Sequence, residues 1–363
     1  MRRSLQSSTG AADPQDMKRG TSCPRQKVQQ IPGCPILRAL CEGWEVTNLD
    51  PGGRVSHPLQ RTQRMGHPSS TTRTDLWGLL FSTLLLLSPF TLAAQTTAQV
   101  ALSSALRATP AVGVVLNVKS GRLVAAVKAP EARRLRSAPG SILKPLFLTA
   151  ALEQQEVLPQ TTVFCRRDLH IREGNREWNL ACTHPQSDVA FTAKEALAYS
   201  CNQYFAELAD RIPPRQASAI LASYGLAPTT PTSQQQKELL VLGVAGVTVS
   251  PTQMAIAYRK LALVLADARA SAALNAVREG LKDSVNYGMA HNAAVPEMEI
   301  AGKTGTASDP GQFWTHGWFA GTVYLGHEEY VVVIYLPRGN GADAAGLAQH
   351  FFLAAKASTA FPR

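Results

Sequence analysis

The order of strand-like and helix-like segments is the feature of residues 95–363 that most constrains the fold. Two β-rich runs around a KSG turn, VGVVLNVKSGRLVAAVK (112–128), stand near the beginning, and three more, EIAGKTGTA, HGWFAGTVYL and EYVVVIYLP, stand near the end. Between them, from roughly Ser141 to Lys282, Ala and Leu recur at helical spacing, and an amphipathic helix closes the chain. We therefore predict an α+β fold, in which one antiparallel sheet is built from both chain ends and a helical subdomain is inserted.

Residues 1–64 differ from the rest of the chain in composition. They are rich in Ser, Gln, Arg, Pro and Gly and show neither helical nor strand periodicity. Met65 begins a segment of ordinary signal-peptide length. Two interpretations therefore stay open for residues 1–64: a disordered leader, or a translation start assigned upstream of the true one.

Residues 65–94 carry an apolar segment that indicates export. Its centre, Leu76 to Leu87, has the length of a signal-peptide h-region and is shorter than the roughly 20 residues that a membrane-spanning helix needs. TLA at 91–93 supplies small residues for a cleavage site, and we favour cleavage over an N-terminal membrane anchor. Both interpretations predict that residues 95–363 lie in the periplasm or on the outer face of the cytoplasmic membrane.

The positive charge of the chain does not indicate a nucleic-acid partner. The formal net charge is +10, but residues 1–94 carry 11 basic and 6 acidic side chains, and residues 95–363 carry 25 and 20. Each part therefore contributes +5, and neither contains a Lys/Arg run with interleaved aromatic residues. We exclude nucleic acid as a partner on these grounds.

Three of the six cysteines fall in the predicted exported part, where disulfides persist. Cys165 and Cys182 flank a predicted hairpin that turns at EGN, and a turn centred between Glu173 and Gly174 places them opposite each other. We predict a Cys165–Cys182 disulfide, with Cys201 as the remaining thiol. Zinc binding by Cys165, Cys182 and His184 is the alternative, but three scattered ligands without a C-x-x-C pair are a weak signal, so no metal is predicted.

Ser141 and Lys144 form an S-x-x-K motif in the apolar stretch PGSILKPLF. A helix that starts near Ser141 tolerates Pro145 in its first turn and places positions i and i+3 on one face. Burial and the positive end of the helix dipole both lower the pKa of an ammonium group. A neutral Lys144 amine can then accept the Ser141 proton, which makes the hydroxyl an effective nucleophile.

Two further motifs follow in the sequence. Ser200 and Asn202 form S-x-N in YSCNQYF, and we expect them to emerge into a cleft from a helix end or a helix–helix turn. Residues 303–306, in AGKTGTA, contain a K-T-G motif. A phosphate-binding loop would need a glycine at position 297, where the chain has Glu, so we interpret this motif as a strand edge.

The ordered motifs S-x-x-K, S-x-N and K-T-G resemble those of the penicillin-binding transpeptidase family, which includes penicillin-binding proteins and serine β-lactamases. The segments GVVLNVKSGRLVAAV, VTVSPTQMAIAYRKLA and HGWFAGTVYL are also similar to this family. The resemblance covers about residues 110–356. It implies a β-lactamase/transpeptidase-like fold and a catalytic domain over 95–363.

The resemblance also implies roles for the motif residues. Ser141 would be the acylated nucleophile and Lys144 its base. Ser200 and Asn202 would relay a proton and hold the substrate amide, and Lys303 would support them electrostatically. Thr304 and Thr306 would bind the carboxylate of a D-Ala-D-Ala terminus or of a β-lactam, with Gly305 allowing the substrate backbone to approach. The backbone N–H groups of Ser141 and Thr306 would form the oxyanion hole.

The resemblance implies D,D-transpeptidase activity on peptidoglycan stem peptides, with β-lactams as inhibitors, no cofactor, and other cell-wall synthesis proteins as further partners. D,D-carboxypeptidase activity, a class D-like β-lactamase and a non-catalytic cell-wall scaffold are the alternatives. A class A β-lactamase is disfavoured because residues 203–302 lack an E-x-x-x-N-like pattern. Class D is disfavoured because Asn202 stands where that class usually has Val.

Overall fold

The computed structural model describes residues 89–186 and 188–358. The leader and most of the predicted signal segment lie outside these residues, so the interpretations of 1–64 and 65–94 stay predictions. Within the described part, no helix combines the length and the apolar character needed to cross a membrane. The helices are α1 (Pro89–Ala105), α2 (Ala129–Arg134), α3 (Lys144–Glu153), α4 (Ala193–Ala198), α5 (Asn202–Arg211), α6 (Pro214–Ser223), α7 (Gln234–Val241), α8 (Pro251–Ala266), α9 (Asn275–Asn286) and α10 (Gly341–Lys356).

The strands form one large sheet and two small ones. They are β1 (Val112–Asn117), β2 (Leu123–Val127), β3 (Val163–Cys165), β4 (His170–Glu173), β5 (Arg176–Asn179), β6 (Val189–Phe191), β7 (Ile300–Ala307), β8 (His316–Leu325) and β9 (Glu328–Leu336). The large sheet has the order β2-β1-β9-β8-β7, and every neighbouring pair is antiparallel. The predicted α+β fold, with one antiparallel sheet built from both chain ends, is confirmed.

Strand β9 shows why the large sheet is covered on both faces. Val331, Val333 and Tyr335 belong to one hydrophobic core, which includes α3 and α8. Val332 and Ile334 belong to a second core, which includes α1 and α10. Because successive side chains of a strand point to opposite faces, an unbroken apolar run such as YVVVIYL fits a central strand that is buried on both sides.

The inserted helices begin at recognisable caps. Thr192 and Ser250 each form a capping box at the start of α4 and α8, with Glu195 and Gln253 respectively. The stretch TAKEALAYSCNQYFAELADRI is not one helix but two, because the chain turns between α4 and α5 at Ser200 and Cys201. This agrees with the expected position of S-x-N at a helix–helix turn.

The predicted hairpin at EGN is present, but its register differs from the expectation. Strands β4 and β5 pair Glu173 with Arg176, so the turn is centred between Gly174 and Asn175, one step later than expected. The Cys182 N–H consequently donates to the Arg167 carbonyl oxygen (2.8 Å), and Cys182 does not lie opposite Cys165 in the ladder. The expected pairing of the two cysteines as direct cross-strand partners was therefore wrong, because the strand register differs by two residues.

Candidate active site

The segment Gly140–Leu143 forms a 3₁₀ turn that carries Ser141, and α3 begins directly after it at Lys144. Pro145 lies in the first turn of α3, where its missing N–H costs no intrahelical hydrogen bond. Gly140 has φ +59°, and a Cβ there would lie 2.8 Å from the Thr306 carbonyl oxygen. This glycine is therefore required both for the turn and for the contact between the Ser141 turn and strand β7.

Hydrogen bonds from β8 and from the loop before it fix the residue ahead of this turn. The Ala138 carbonyl oxygen accepts from His316 Nε2 (2.7 Å) and from Trp318 Nε1 (3.0 Å). The Ala138 N–H donates to Asp309 Oδ1 (2.8 Å). His316 and Trp318 are fully buried, so they act here as supports of the Ser141 turn.

Tyr258 of α8 supports the turn from the other direction, because its hydroxyl donates to the Ile142 carbonyl oxygen (2.9 Å). Sequence reasoning missed both Tyr258 and Asp309. An Asp in a polar loop and a Tyr on an amphipathic helix carry no pattern that distinguishes them from ordinary surface and core residues.

Lys144 is fully buried, and its amine contacts the second motif. Lys144 Nζ donates to Asn202 Oδ1 (2.6 Å) and to the Ser200 carbonyl oxygen (2.8 Å), and it lies 3.3 Å from Ser200 Oγ. The hydrogen bonds of the described residues do not include one between Lys144 Nζ and Ser141. Burial lowers the pKa of Lys144 from 10.5 to about 8.

The turn between α4 and α5 presents Ser200 and Asn202 to this amine. Ser200 has φ +56°, a conformation that is uncommon for a residue with a side chain and that is often found at functional sites. Asn202 Nδ2 donates to the Leu180 carbonyl oxygen (2.8 Å), so both ends of its amide are engaged. The second motif is thus held by the S-x-x-K lysine and by the segment that follows the β4–β5 hairpin.

The third motif lies on β7, one of the two edge strands of the large sheet. Lys303 is fully buried, its Nζ donates to the Thr304 carbonyl oxygen (3.0 Å), and burial together with the Lys144 charge lowers its pKa well below the ordinary value. Gly305 faces the Ser141 turn, since a Cβ there would lie 2.5 Å from the Pro139 carbonyl oxygen. The close approach that Gly305 permits in this structure is therefore that of the chain's own backbone.

The two threonines of the third motif lie near the start of α10. Thr306 Oγ1 accepts from the Gly341 N–H (2.9 Å), and Thr306 is exposed. Thr304 is buried, and its hydroxyl donates to the Met289 carbonyl oxygen (3.2 Å). The predicted site residues belong to three segments that are distant in the sequence. In the structure these segments, the Ser141 turn, the Ser200 turn and the edge strand β7, meet at one place.

A cluster of sulfur and imidazole groups lies directly behind the Ser200 turn. Cys165, Cys182 and Cys201 are free thiols and are buried. The sulfur atoms of Cys165 and Cys182 are 3.6 Å apart, whereas a disulfide needs about 2.05 Å. The predicted disulfide is therefore not formed in this structure. His184 and Cys201 complete the cluster, so Cys201 lies beside the two cysteines that were expected to pair without it.

Residues 111–355 match the family model described as the penicillin binding protein transpeptidase domain. The chain belongs to this family. The match covers all three motifs and most of the described residues of this transpeptidase domain. A search of curated proteins found no match.

Solved structures share the fold of this transpeptidase domain at low sequence identity. The D,D-transpeptidase domain of a peptidoglycan glycosyltransferase from Eggerthella lenta is 19% identical, with a TM-score of 0.59 over 71% of this chain and 80% of its own. PBP2 from Pseudomonas aeruginosa is 17% identical, with a TM-score of 0.60 over 74% and 76%. The transpeptidase domain of penicillin-binding protein 3 from Burkholderia pseudomallei is 19% identical, with a TM-score of 0.59 over 73% and 92%.

Proposed function

We propose that the protein is a serine D,D-transpeptidase that acts on peptidoglycan stem peptides through an acyl-enzyme on Ser141. The observation that carries this proposal is the buried amine of Lys144, which has a lowered pKa and contacts Ser200 and Asn202. At pH 7.5 a pKa of about 8 leaves roughly a quarter of this amine neutral, against on the order of 0.1% at an ordinary lysine pKa. The site therefore offers a usable base near neutral pH.

Acylation would begin with attack of Ser141 Oγ on the carbonyl carbon between the two D-Ala residues, while Lys144 Nζ accepts the hydroxyl proton. Charge develops on the carbonyl oxygen, and the backbone N–H groups of Ser141 and Thr306 would stabilise it. The approach of Gly140 to the Thr306 backbone supports this assignment, because it brings the two segments together.

Collapse of the tetrahedral intermediate breaks the C–N bond and releases D-Ala. The leaving amine needs a proton, and the 3.3 Å contact between Lys144 Nζ and Ser200 Oγ supports a transfer from Lys144 through Ser200. An acceptor amine from a second stem peptide then attacks the acyl-enzyme and restores Ser141. Thr304 and Thr306 are proposed to bind the terminal carboxylate, and this anion would favour the charged form of the nearby Lys303 amine, which would then contribute positive potential.

The proposal extends to location and partners. The apolar segment at 76–87 supports export to the periplasm or to the outer face of the membrane, where peptidoglycan is cross-linked. A further similar chain, 19% identical with a TM-score of 0.57, comes from a peptidoglycan synthase complex that coordinates polymerization and crosslinking. This likeness supports the proposal that the protein works with other cell-wall synthesis proteins.

The test is the labelling of the full-length protein with fluorescent penicillin, followed by a chase with unlabelled drug. We expect one stable label per chain, absent in Ser141→Ala and retained in Ser103→Ala, which removes an exposed hydroxyl of α1. A label that is lost within minutes would instead identify a β-lactamase. Absence of label from a folded protein would contradict the catalytic proposal and favour the scaffold.

A stable label does not separate a transpeptidase from a carboxypeptidase. Incubation with a stem peptide ending in D-Ala-D-Ala, with and without an acceptor amine, makes this distinction. We expect a cross-linked product that increases with acceptor concentration. Release of D-Ala without any cross-linked product would assign a carboxypeptidase.

A further inference from the structure

The cluster formed by Cys165, Cys182, His184 and Cys201 gathers four metal-binding side chains in a place that water does not reach. Each of the four residues is at most 4% exposed. Their donor atoms all lie within 4.8 Å of one another. Cysteine sulfur and histidine nitrogen are the donors that structural zinc sites use, and three cysteines with one histidine are a common set.

Three distances inside the cluster lie close to those expected around one tetrahedral ion. Cys165 Sγ lies 3.6 Å from Cys182 Sγ and 3.4 Å from His184 Nε2, and Cys182 Sγ lies 4.0 Å from Cys201 Sγ. Zinc ligands at about 2.3 Å for sulfur and about 2.0 Å for nitrogen stand about 3.5–3.8 Å apart at the corners of a tetrahedron. The same separations are too long for a disulfide bond.

Two polar contacts distinguish the cluster from simple packing of thiols. The Asn202 N–H donates to Cys182 Sγ (3.1 Å), a contact that favours a sulfur carrying negative charge. His184 is fully buried with Nε2 directed at Cys165 Sγ, and its Nδ1 has no hydrogen-bond partner among the described residues. The hydrogen-bond contact of this buried imidazole is thus with a sulfur atom of the cluster, and a metal ion bound by Nε2 would account for that orientation.

We propose that Cys165, Cys182, His184 and Cys201 bind one zinc ion. Zinc fits because it is a borderline-soft ion that takes four thiolate and imidazole ligands in tetrahedral geometry, and because a structural zinc site has no open position for substrate. The four ligands come from three segments: the end of β3, the stretch after the β4–β5 hairpin, which supplies two, and the α4–α5 turn. The ion would therefore join three segments that the large sheet does not hold.

Zinc binding would also fix the Ser200 turn, because Cys201 is part of that turn. This ligand stands between Ser200 and Asn202, so a bond from its sulfur to the ion fixes the backbone from which both side chains project. Cys201 is thus a positioning residue. Zinc binding itself does not depend on the proposed function, whereas the effect of the ion on acylation does.

The first measurement is the metal content of the full-length protein after purification without added metal. We expect one zinc per chain and three thiols that react only after denaturation in the presence of a chelator. Replacement of zinc by Co²⁺ in the unsubstituted protein should give the visible bands of a tetrahedral site together with a thiolate-to-cobalt charge-transfer band. This measurement does not require any variant to fold.

The variants Cys165→Ser and His184→Ala should each lower the zinc content at least tenfold. Phe191→Leu is the matched control, because its ring packs edge-on against His184 at 5.0 Å but offers no donor atom. It should keep one zinc per chain. Loss of zinc from wild-type protein by chelation should lower the rate of penicillin labelling at least tenfold while the sheet stays folded.

Several outcomes would overturn the proposal. A Cys165–Cys182 disulfide with no zinc, seen as a mass two hydrogens lower, would restore the pairing expected from the sequence. Free thiols that bind no added zinc would identify an apolar thiol cluster, and zinc retained in both variants would place the ion elsewhere. Iron or copper in the native protein would refute the choice of metal. Zinc at the site without penicillin labelling would support the metal site and contradict the proposed function. Penicillin labelling of a protein without zinc would support the proposed function and contradict the metal site.

Discussion

The turn that carries Ser141 and the turn that carries Ser200 and Asn202 are held by different parts of the molecule. The Ser141 turn is fixed through its backbone: the large sheet and its β7–β8 loop provide three hydrogen bonds to Ala138, and α8 provides one to Ile142. The Ser200 turn is fixed by the Lys144 amine and by contacts with Leu180 and Cys182.

Because of this difference, we expect substitutions at the two turns to affect stability and activity to different extents. Tyr258 and Trp318, which support the Ser141 turn, belong to the core that includes α3 and α8, so changing them affects the whole fold. The Ser200 turn depends on a few polar side chains and on two small two-stranded sheets. We therefore expect changes around Ser200 to lower activity with a smaller loss of global stability than changes around Ser141.

Lys144 belongs to both regions, and its replacement should give the largest effect. In Lys144→Met the apolar length is kept but the base is lost, and loss of a general base typically costs 10²–10⁴-fold in rate. We expect the rate of penicillin labelling to fall by about 10³-fold. Lys194→Met, which removes a half-exposed lysine of α4, is the control and should label at the wild-type rate. Labelling of Lys144→Met within tenfold of wild type would exclude Lys144 as the base.

Gly140→Ala tests the Ser141 turn, which is held through its backbone. The new Cβ would meet the Thr306 carbonyl oxygen in a backbone conformation that disfavours side chains, so we expect about 1–3 kcal/mol less stability in urea unfolding and at least tenfold slower labelling. Gly174→Ala provides a matched control, since Gly174 has φ +57° but open space around it. Equal losses of stability in the two variants would show that the contact with β7 is unimportant.

Asn202→Asp tests the other turn. A carboxylate in place of the amide oxygen, 2.6 Å from Lys144 Nζ, favours the charged amine and raises the pKa of Lys144. Because the base must be neutral, labelling at pH 7.5 should fall by about tenfold for each unit by which the pKa rises. Asn179→Asp places the same charge on the exposed end of β5 and should leave the rate unchanged. An unchanged rate in Asn202→Asp would remove the link between the second motif and the base.

The wild-type pH profile follows from the same group. Lys144 has a lowered pKa of about 8, so its neutral form increases by about tenfold per pH unit below that value and levels off above it. The rate constant of penicillin labelling, measured between pH 6 and 9.5, should follow this curve, provided that the fold is intact across the range. A rate that still rises by about tenfold per pH unit at pH 9.5 would indicate an unperturbed lysine.

Tyr258→Phe should give the smallest effect. It removes one hydroxyl that donates to the Ile142 carbonyl oxygen and keeps the ring, so we expect a stability loss of about 1 kcal/mol. The labelling rate should stay within threefold, because three hydrogen bonds at Ala138 still hold the turn. A large drop in rate with unchanged stability would mean that the Ser141 turn is less rigid than its contacts indicate.

The sequence contained most of the information about the sheet and the motif residues. Strand β8 matches the run HGWFAGTVYL residue for residue, because aromatic and β-branched residues, which favour strands, are concentrated there. The three motifs could be assigned from spacing and family resemblance, and the structure brings their segments to one place. What sequence reasoning missed depends on tertiary contacts: the register of the β4–β5 hairpin, and the supports provided by Asp309 and Tyr258.

The cysteine cluster shows why some contacts near the site could not be predicted from the sequence. Pairing Cys165 with Cys182 relied on a cross-strand register, and a shift of two residues was enough to change the partners. Cys201 stands on a turn 19 residues beyond Cys182, and no periodicity relates the two. Only packing of the α4–α5 turn against the small sheets brings Cys201 to Cys182 and Cys165.

The two glycines at the contact between the Ser141 turn and β7 restrict which substitutions can be inherited. A side chain at Gly140 or Gly305 would run into backbone atoms of the opposing segment, which cannot move aside as a flexible side chain can. If β-lactams act on this protein as proposed, resistant variants should not arise at these two positions. Selection for weaker drug binding should instead collect changes at exposed positions such as Thr306, and around the Ser200 turn.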